Sequence, residues 1–224
     1  MRAEVASPVH QVLAYGLRLK GRLENGEAVS LVSEQAVLKG MLQDPQGQRW
    51  PEFVGDPAPL DAGPGAVDRF LGGRYALVCW LDEVFTIDTR PHNERWANDW
   101  NEHSLEFALY RTRDRAWMFW DQARRAESRE GADALEMFYL AAMLGFRGDF
   151  RNRPDRLEVW RVSVEERLRQ GQGEAWPAPR ERRAATDVPP LGGRDAFRKV
   201  ALACCVLLGL LIPLATFLLF RALG

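Results

Sequence analysis

Residues 74–85 read RYALVCWLDEVF, a mostly apolar stretch with a helical pattern. Its large apolar side chains recur at the three- and four-residue spacing of a helix and form one stripe. These side chains are Leu77, Trp80, Leu81, Val84 and Phe85. Two acidic residues, Asp82 and Glu83, are embedded between them. We therefore predict a helix from about Val67 to Phe85 at the centre of the folded domain.

Hydrophobic spacing is also helical on both sides of this stretch, and no run of four to eight residues alternates as a strand does. The domain is therefore expected to be all-α. Gly145 suits the left-handed position that ends a helix, with Phe146 folding back onto the last turn. The further predicted helices are Pro8 to Leu23, Glu27 to Leu42, Trp96 to Tyr110, one capped by Asp114, one capped by Asp133 and ending at Gly145, and Pro154 to about Gln170.

Proline and glycine divide the chain into segments. They are too dense in residues 44–68 for a helix interior, so this segment is predicted to be a long exposed loop. Residues 171–195 have the same composition and few large apolar side chains, which is typical of a linker. The predicted organisation is a helical domain over residues 1–170, this linker, and a C-terminal segment over residues 196–224.

The C-terminal segment contains a predicted transmembrane helix. Residues 200–220 read VALACCVLLGLLIPLATFLLF, without a charged side chain. At about 1.5 Å of rise per residue this run spans about 31 Å, close to the thickness of a hydrocarbon core. Arg194, Arg198 and Lys199 precede the span and Arg221 follows it, so the N-terminal domain is expected to face the cytoplasm. We predict a tail-anchored, single-pass protein with a very short C-terminal tail outside the cytoplasm and no signal peptide.

Small residues recur every four positions within this predicted span, at Ala201, Cys205 and Gly209. Such a stripe lets two membrane helices approach closely, which predicts self-association into a homodimer within the lipid bilayer. The alternative is that small residues fall at this spacing by chance on a leucine-rich helix.

Composition and motifs exclude several classes of function. Residues 1–195 carry a net charge of −4, from 27 basic and 31 acidic residues, which argues against nucleic acid as the main partner. The chain lacks the phosphate-loop, dinucleotide, zinc-protease and nucleophile-elbow motifs. Its three cysteines and three histidines are too scattered to indicate a disulfide framework or a metal site. We therefore predict a protein that is not an enzyme and has no cofactor.

Three stretches together resemble a known family. They are RYALVCWLDEVF at residues 74–85, a segment containing Trp100, Ser104 and Leu105, and LEMFYLAAMLGFRGDFR at residues 135–151. These residues resemble the DotU family, which comprises the TssL proteins of type VI secretion systems and their IcmH-like type IVB counterparts. The most specific motifs are the Leu-Asp-Glu core and the turn at residues 144–151.

The resemblance implies an architecture and a role. It implies a cytoplasmic domain of two small three-helix bundles, hook-like in outline, on one membrane span. It also implies a non-enzymatic scaffold of the bacterial inner membrane that lies beside a TssM-like protein of the IcmF family. This scaffold would dock the cytoplasmic baseplate, with TssK-like and TssE-like proteins as partners. Two features depart from the family pattern: residues 109–120 replace a His-Gly-Glu-Thr-like stretch, and the loop at residues 44–68 is longer than usual.

We predict that Asp82, Glu83 and Trp100 contribute to partner binding. An acidic pair on an apolar central helix either costs desolvation or faces a cleft, and a cleft would suit docking. The alternative is that one of the pair caps a helix or binds an arginine such as Arg74 or Arg147, and that Trp100 is packed in the core. Charge reversal at both acidic residues is expected to leave the domain folded and to abolish baseplate recruitment, whereas a loss of helical signal would indicate a structural role.

Other functions remain open at this stage. The chain could be a type IVB subunit that stabilises its complex, a tail-anchored adaptor unrelated to secretion, or a membrane-bound enzyme with the acidic pair as its acid and base. An enzyme needs an enclosed pocket near the acidic pair, whereas docking needs an open groove with exposed apolar edges.

Overall fold

The computed structural model describes residues 1–43, 51–56 and 69–171, and within these ranges the regular structure is entirely helical. This confirms the predicted all-α class for the described part of the chain. Its α-helices are α1 (Ala3–Glu24), α2 (Leu31–Leu42), α3 (Pro51–Val54), α4 (Gly73–Glu83), α5 (Glu94–Glu102), α6 (Leu105–Tyr110), α7 (Arg115–Glu127), α8 (Asp133–Met143) and α9 (Pro154–Gly171).

The chain divides into one unit of residues 1–176 and another of residues 177–224, and every element named above belongs to the first. None of the helices in the described ranges is both long enough and apolar enough to be a membrane span. The predicted span at residues 200–220, with Ala201, Cys205 and Gly209, lies outside the described residues, as does the linker beyond Gly171. The predicted boundaries of these segments stay predictions.

Helix α4 lies at the centre of the core, as the sequence predicted. It packs against α1, α3, α6, α7 and α8, and all side chains from Tyr75 to Leu81 have no exposed surface. The predicted single apolar stripe was therefore too narrow, because this helix is covered on every side. Its buried neighbours belong to one continuous hydrophobic cluster. The division into two three-helix bundles stays a prediction.

A π-helical turn, Val84–Asp88, follows α4 directly. Val84, Phe85 and Thr86 are buried in it, whereas Ile87 is 40% exposed. The turn thus carries the chain from the core to the surface, and it places an apolar side chain there.

Helix α8 ends as its sequence predicted. Gly145 has φ +116°, and its N–H donates to the carbonyl of Ala142 while the N–H of Phe146 donates to the carbonyl of Ala141. These two bonds form the Schellman motif, in which a glycine with positive φ satisfies the last carbonyls of a helix. Phe146 is fully buried and stacks on Phe119 at 3.9 Å between ring centroids. The predicted cap is confirmed.

Several predicted boundaries were wrong. The helix predicted from Trp96 to Tyr110 is two helices: α5 ends at Glu102, and Ser104 caps α6 by accepting from the N–H of Phe107. Asp133 does not cap α8; its carboxylate accepts from the backbone and guanidinium of Arg2 instead. The predicted loop at residues 44–68 contains α3, whose Phe53 is buried in the core.

The first two helices also differ from their predicted limits. Helix α1 begins at Ala3, so Pro8 lies inside it rather than in its first turn. Helix α2 begins later than predicted, after Ser30, whose hydroxyl accepts from the N–H of Ser33. The earlier start of α1 reflects tertiary packing, since Val5 is completely buried against the rest of the domain, whereas the later start of α2 reflects the local cap at Ser30.

Candidate docking cleft

The carboxylate of Asp82 has no exposed surface and is fully used inside the domain. Its Oδ1 accepts from the indole Nε1–H of Trp100 at 2.8 Å and from the backbone N–H of Leu105 at 2.9 Å. Its Oδ2 accepts from the backbone N–H of Glu106 at 2.8 Å. Asp82, on α4, therefore fixes the start of α6 and the position of Trp100 on α5.

The environment of Asp82 changes its titration. Burial raises the pKa of this carboxyl group to about 6, although the positive charge of Arg115 and the three hydrogen bonds act in the opposite direction. Desolvation therefore outweighs the favourable contacts. Asp82 is ionised at neutral pH and becomes protonated in mildly acidic solution.

Glu83 holds the turn that follows α8. Its carboxylate is 4% exposed and binds the guanidinium of Arg151 at 2.7 Å. It also accepts from the backbone N–H of Arg147 at 2.7 Å and from that of Gly148 at 3.1 Å. The opposite side of the turn is bound by Trp120, whose indole donates to the carbonyl of Arg147. The Leu-Asp-Glu core and the 144–151 turn, which are distant in sequence, are thus one structural unit.

Trp100 is packed in the core, as the alternative interpretation predicted. It has no exposed surface, and its ring lies 4.5 Å from that of Phe85 and 5.9 Å from that of Trp96 between centroids. Neither Asp82 nor Trp100 presents surface to a partner in this conformation. A role for either residue in partner binding stays a prediction. Such a role would be indirect, through the positions of α5 and α6 that the contacts of Asp82 and Trp100 maintain.

The predicted arginine partners of the acidic pair were partly wrong. Arg147 contacts Glu83 through its backbone N–H, and the guanidinium at this position comes from Arg151 instead. The guanidinium of Arg74 donates instead to the hydroxyl of Tyr110 at 2.9 Å. Sequence spacing could not distinguish among several arginines because the contact depends on how the turn folds back.

Another buried carboxylate close to Asp82 and Arg115, that of Glu106, was missed by sequence reasoning. It is fully buried and accepts from the hydroxyl of Tyr75 at 2.9 Å, the hydroxyl of Thr112 at 2.8 Å and the backbone N–H of Asp114 at 3.0 Å. Arg115 lies 3.7 Å from its other oxygen. Glu106 thereby holds Thr112 and Asp114, which lie within residues 109–120, the segment that departs from the family pattern. Its only sequence signal is an acidic residue in the first turn of a helix.

Glu83 also lines a surface cleft of about 390 Å³. The cleft lies where the end of α4, the start of α7 and the 144–151 turn meet. Its lining includes the apolar side chain of Ile87 and the guanidinium-bearing residues Arg113, Arg115 and Arg151. Asp82 and Trp100 are not part of this lining. The predicted cleft beside the acidic pair therefore exists for Glu83 alone.

The chain matches a known protein family. A family model described as type VI secretion system protein DotU matches residues 63–223, well over half of the 224 residues. The chain belongs to the DotU family. No curated protein and no solved structure matches it. The DotU match includes both the 74–85 stretch and the 135–151 stretch, so the family identified from those residues is confirmed.

Membership of the DotU family places the chain among the structural components of type VI and type IVB secretion systems. It implies association with the inner membrane and partners within the secretion complex. The cleft beside Glu83 is thus a surface feature of a protein whose family works within an assembly.

Proposed function

We propose that this DotU protein is a non-enzymatic scaffold of the inner membrane, which docks the cytoplasmic baseplate of a type VI secretion system to the membrane complex. The observation that carries this proposal is the DotU match over residues 63–223. The open cleft beside Glu83 supports it, because docking requires an accessible concave surface on the cytoplasmic domain. The partners are a TssM-like protein in the membrane and TssK-like and TssE-like proteins of the baseplate.

The proposed topology is a single pass. Residues 200–220 cross the bilayer, the helical domain lies in the cytoplasm, and a tail of a few residues reaches the periplasm. The apolar run and the basic residues on its N-terminal side support this orientation. The stripe of Ala201, Cys205 and Gly209 is proposed to pair two copies of the span. Replacing Gly209 with Leu should then weaken dimerisation in a membrane reporter.

The cleft is proposed as the docking surface, with different roles for the predicted residues. Glu83 lies in its wall and holds the 144–151 turn in place. Asp82 and Trp100 lie behind it and position α6. Charge reversal at Asp82 and Glu83 would disrupt these internal bonds, so loss of recruitment in that double variant would not by itself distinguish docking from folding.

Alternative functions have less support. An enzyme using the acidic pair as acid and base is disfavoured because the Asp82 carboxylate is inaccessible and bound to three donors. An adaptor unrelated to secretion is disfavoured by the family match. A type IVB stabilising subunit fits the family as well, but the matching description names a type VI system. Sheath and tube genes beside the coding sequence would favour type VI.

The test replaces Ile87, the exposed apolar side chain of the cleft, with an uncharged polar residue. The full-length chain carries an affinity tag, is expressed in cells that contain the secretion genes, and is purified in mild detergent. Ile87→Gln removes an apolar contact from the cleft, and Val159→Gln makes the same kind of change at a residue that is 72% exposed and does not line the cleft. Baseplate proteins should co-purify with the wild type and with Val159→Gln, and less with Ile87→Gln.

Two results would count against the proposed function. Failure of the folded wild type to co-purify with any membrane-complex or baseplate protein would contradict the scaffold role. Equal recovery of baseplate proteins with both variants would remove Ile87, and the cleft beside it, from docking. Thermal unfolding of each variant confirms that the recovered proteins are folded.

A further inference from the structure

The cleft beside Glu83 is lined by more positive than negative charge. Three guanidinium groups line it, from Arg113, Arg115 and Arg151, against the single carboxylate of Glu83. That carboxylate is already bound to two backbone N–H groups and to Arg151. It therefore has little capacity left to balance the other two arginines. Arg115 is balanced in part by the buried carboxylate of Glu106, 3.7 Å away, which is not part of the lining. The positive charge available at the surface of the cleft is therefore mainly that of Arg113.

Each of these arginines retains donors for a ligand. A guanidinium has five N–H donors in a planar fork. Arg151 uses one nitrogen on Glu83, and Arg115 places one nitrogen 3.1 Å from the hydroxyl of Thr86 and another 3.7 Å from Glu106. Within the described residues Arg113 has no carboxylate partner and donates instead to two backbone carbonyls at the end of α5. Arg113 is thus the least neutralised cation of the cleft.

Apolar side chains flank these charges. Ile87 is 40% exposed in the lining of the cleft. Phe107 is 41% exposed, and the guanidinium of Arg113 lies over its ring at 4.9 Å from the centroid. Stacking on an aromatic face holds an arginine in position while leaving the edge of its guanidinium available. The surface is therefore arranged for a ligand that carries both negative charge and apolar groups.

We propose that the cleft binds an acidic, partly apolar peptide segment of a partner protein. Its carboxylates pair with Arg113 and Arg151, which are exposed at the surface, and its apolar side chains lie against Ile87 and Phe107. Arg115, which is more deeply buried, adds its charge from within the wall. This inference rests on the proposed docking function and names the chemistry of the docked segment.

The exposed apolar side chains beside the arginines favour a peptide over a small anion. Bidentate pairing of arginine with carboxylate is the preferred planar recognition of this group. A small anion such as phosphate has no apolar part, so it would leave Ile87 and Phe107 unused. A volume of about 390 Å³ lies within the range of pockets that hold side chains of a ligand.

The first test measures peptide binding by fluorescence anisotropy on the full-length chain in a non-ionic detergent. The probe is a fluorescein-labelled peptide, Glu-Glu-Leu-Glu-Glu-Leu, and its counterpart has lysine in place of each glutamate. The wild type should bind the acidic peptide and not the basic one, and affinity should fall as NaCl rises from about 50 to about 300 mM. Arg113→Glu should weaken binding at least about tenfold, and Arg113→Gln should weaken it less than Arg113→Glu does.

The matched control is Arg124→Glu. It makes the same change in charge at an arginine that is 72% exposed and does not line the cleft. Arg124 lies nine residues after Arg115 on α7, about 13 Å along the helix axis. Its variant should bind the acidic peptide within about twofold of the wild type. Equal weakening by Arg113→Glu and Arg124→Glu, or no binding by the wild type, would overturn the inference.

Inorganic pyrophosphate distinguishes a peptide site from a general anion site. If pyrophosphate displaces the probe at concentrations similar to those of the unlabelled acidic peptide, the cleft recognises small anions and the inference fails. If displacement requires a much higher concentration than the peptide, the apolar contacts contribute as proposed.

Co-purification separates this inference from the proposed function. Baseplate proteins recovered with the wild type and with Arg124→Glu, but not with Arg113→Glu, support both. Recovery with all three leaves the scaffold role intact and overturns the inference. Recovery with none of them, the wild type included, contradicts the scaffold role, and the peptide measurements then decide the inference alone.

Discussion

Replacing Gly148 with alanine tests how closely the 144–151 turn approaches α7. Gly148 has φ +47°, in the left-handed region. A Cβ at this position would lie 2.4 Å from the carbonyl oxygen of Ala116 and 3.1 Å from its carbonyl carbon. Because the obstacle is backbone rather than a flexible side chain, the turn itself would have to move away from α7.

The cost of this change can be estimated from three contributions. An alanine in the left-handed region costs about 1 kcal/mol relative to glycine. Forcing the two backbones apart costs about 1 to 3 kcal/mol, as for other overpacked sites. The movement also weakens the hydrogen bond from the N–H of Gly148 to the buried carboxylate of Glu83, which is worth about 1 to 2 kcal/mol. We expect Gly148→Ala to lower the free energy of unfolding by about 4 kcal/mol.

Gly26 provides the matched control. Its φ is +76°, but a Cβ there would have no other atom within 4 Å. Gly26→Ala should therefore cost only the conformational part, about 1 kcal/mol. The difference of about 3 kcal/mol between the two variants isolates the contact with α7 and the bond to Glu83.

Intrinsic tryptophan fluorescence is a suitable assay for both variants. All eight tryptophans lie within residues 1–176, so denaturation of the full-length chain in detergent micelles reports on the helical domain and not on the predicted span. Free energies of unfolding follow from linear extrapolation in urea. A difference of less than about 1 kcal/mol between the free energies of unfolding of Gly148→Ala and Gly26→Ala would refute the close approach of the turn to Ala116.

Three further predictions concern the buried carboxylates and the core. Glu83→Ala leaves two backbone N–H groups without an acceptor and should cost about 3 kcal/mol in urea unfolding. Glu158→Ala, on the surface of α9, should leave the urea midpoint almost unchanged, and equal shifts for the two variants would contradict the role of Glu83. Because burial raises the pKa of Asp82 to about 6 from 3.8, the stability gained from its protonation is complete below about pH 4 and is lost as the pH rises through 6. The wild type should therefore lose about 2 kcal/mol more than Asp82→Asn between about pH 4 and pH 7, and a difference that does not vary with pH would refute this. Trp80→Ala, in the centre of α4, should cost about 4 kcal/mol, and a variant that unfolds at the wild-type midpoint would show that α4 is not the core.

Local signals in the sequence were sufficient for some parts of the fold. The glycine at position 145 has a conformational preference that acts on its own turn, so the end of α8 could be predicted from neighbouring residues alone. The start of α9 at Pro154 is similar, because proline suits the first turn of a helix wherever that helix lies. The apolar stretch at residues 74–85 identified the central helix for the same reason.

Contacts between distant segments could not be predicted in this way. Hydrophobic periodicity indicated that one face of α4 was buried. Only the packing of five other helices around α4 showed that none of its faces is exposed. Asp133 has a residue type that is common at helix caps, yet its carboxylate binds the guanidinium of Arg2, which is 131 residues away in the sequence. Glu106 gave little signal because its partners come from three separate positions that spacing along one helix does not relate.

The helical class, the family and the central helix could be predicted without coordinates, because hydrophobic periodicity, helix caps and family motifs are properties of neighbouring residues. The role of each acidic residue, in contrast, depends on contacts between distant segments. Asp82 and Glu83 are adjacent on α4, but side chains on successive helical positions point about 100° apart. One therefore meets α6 inside the domain, and the other meets the 144–151 turn at the wall of a cleft.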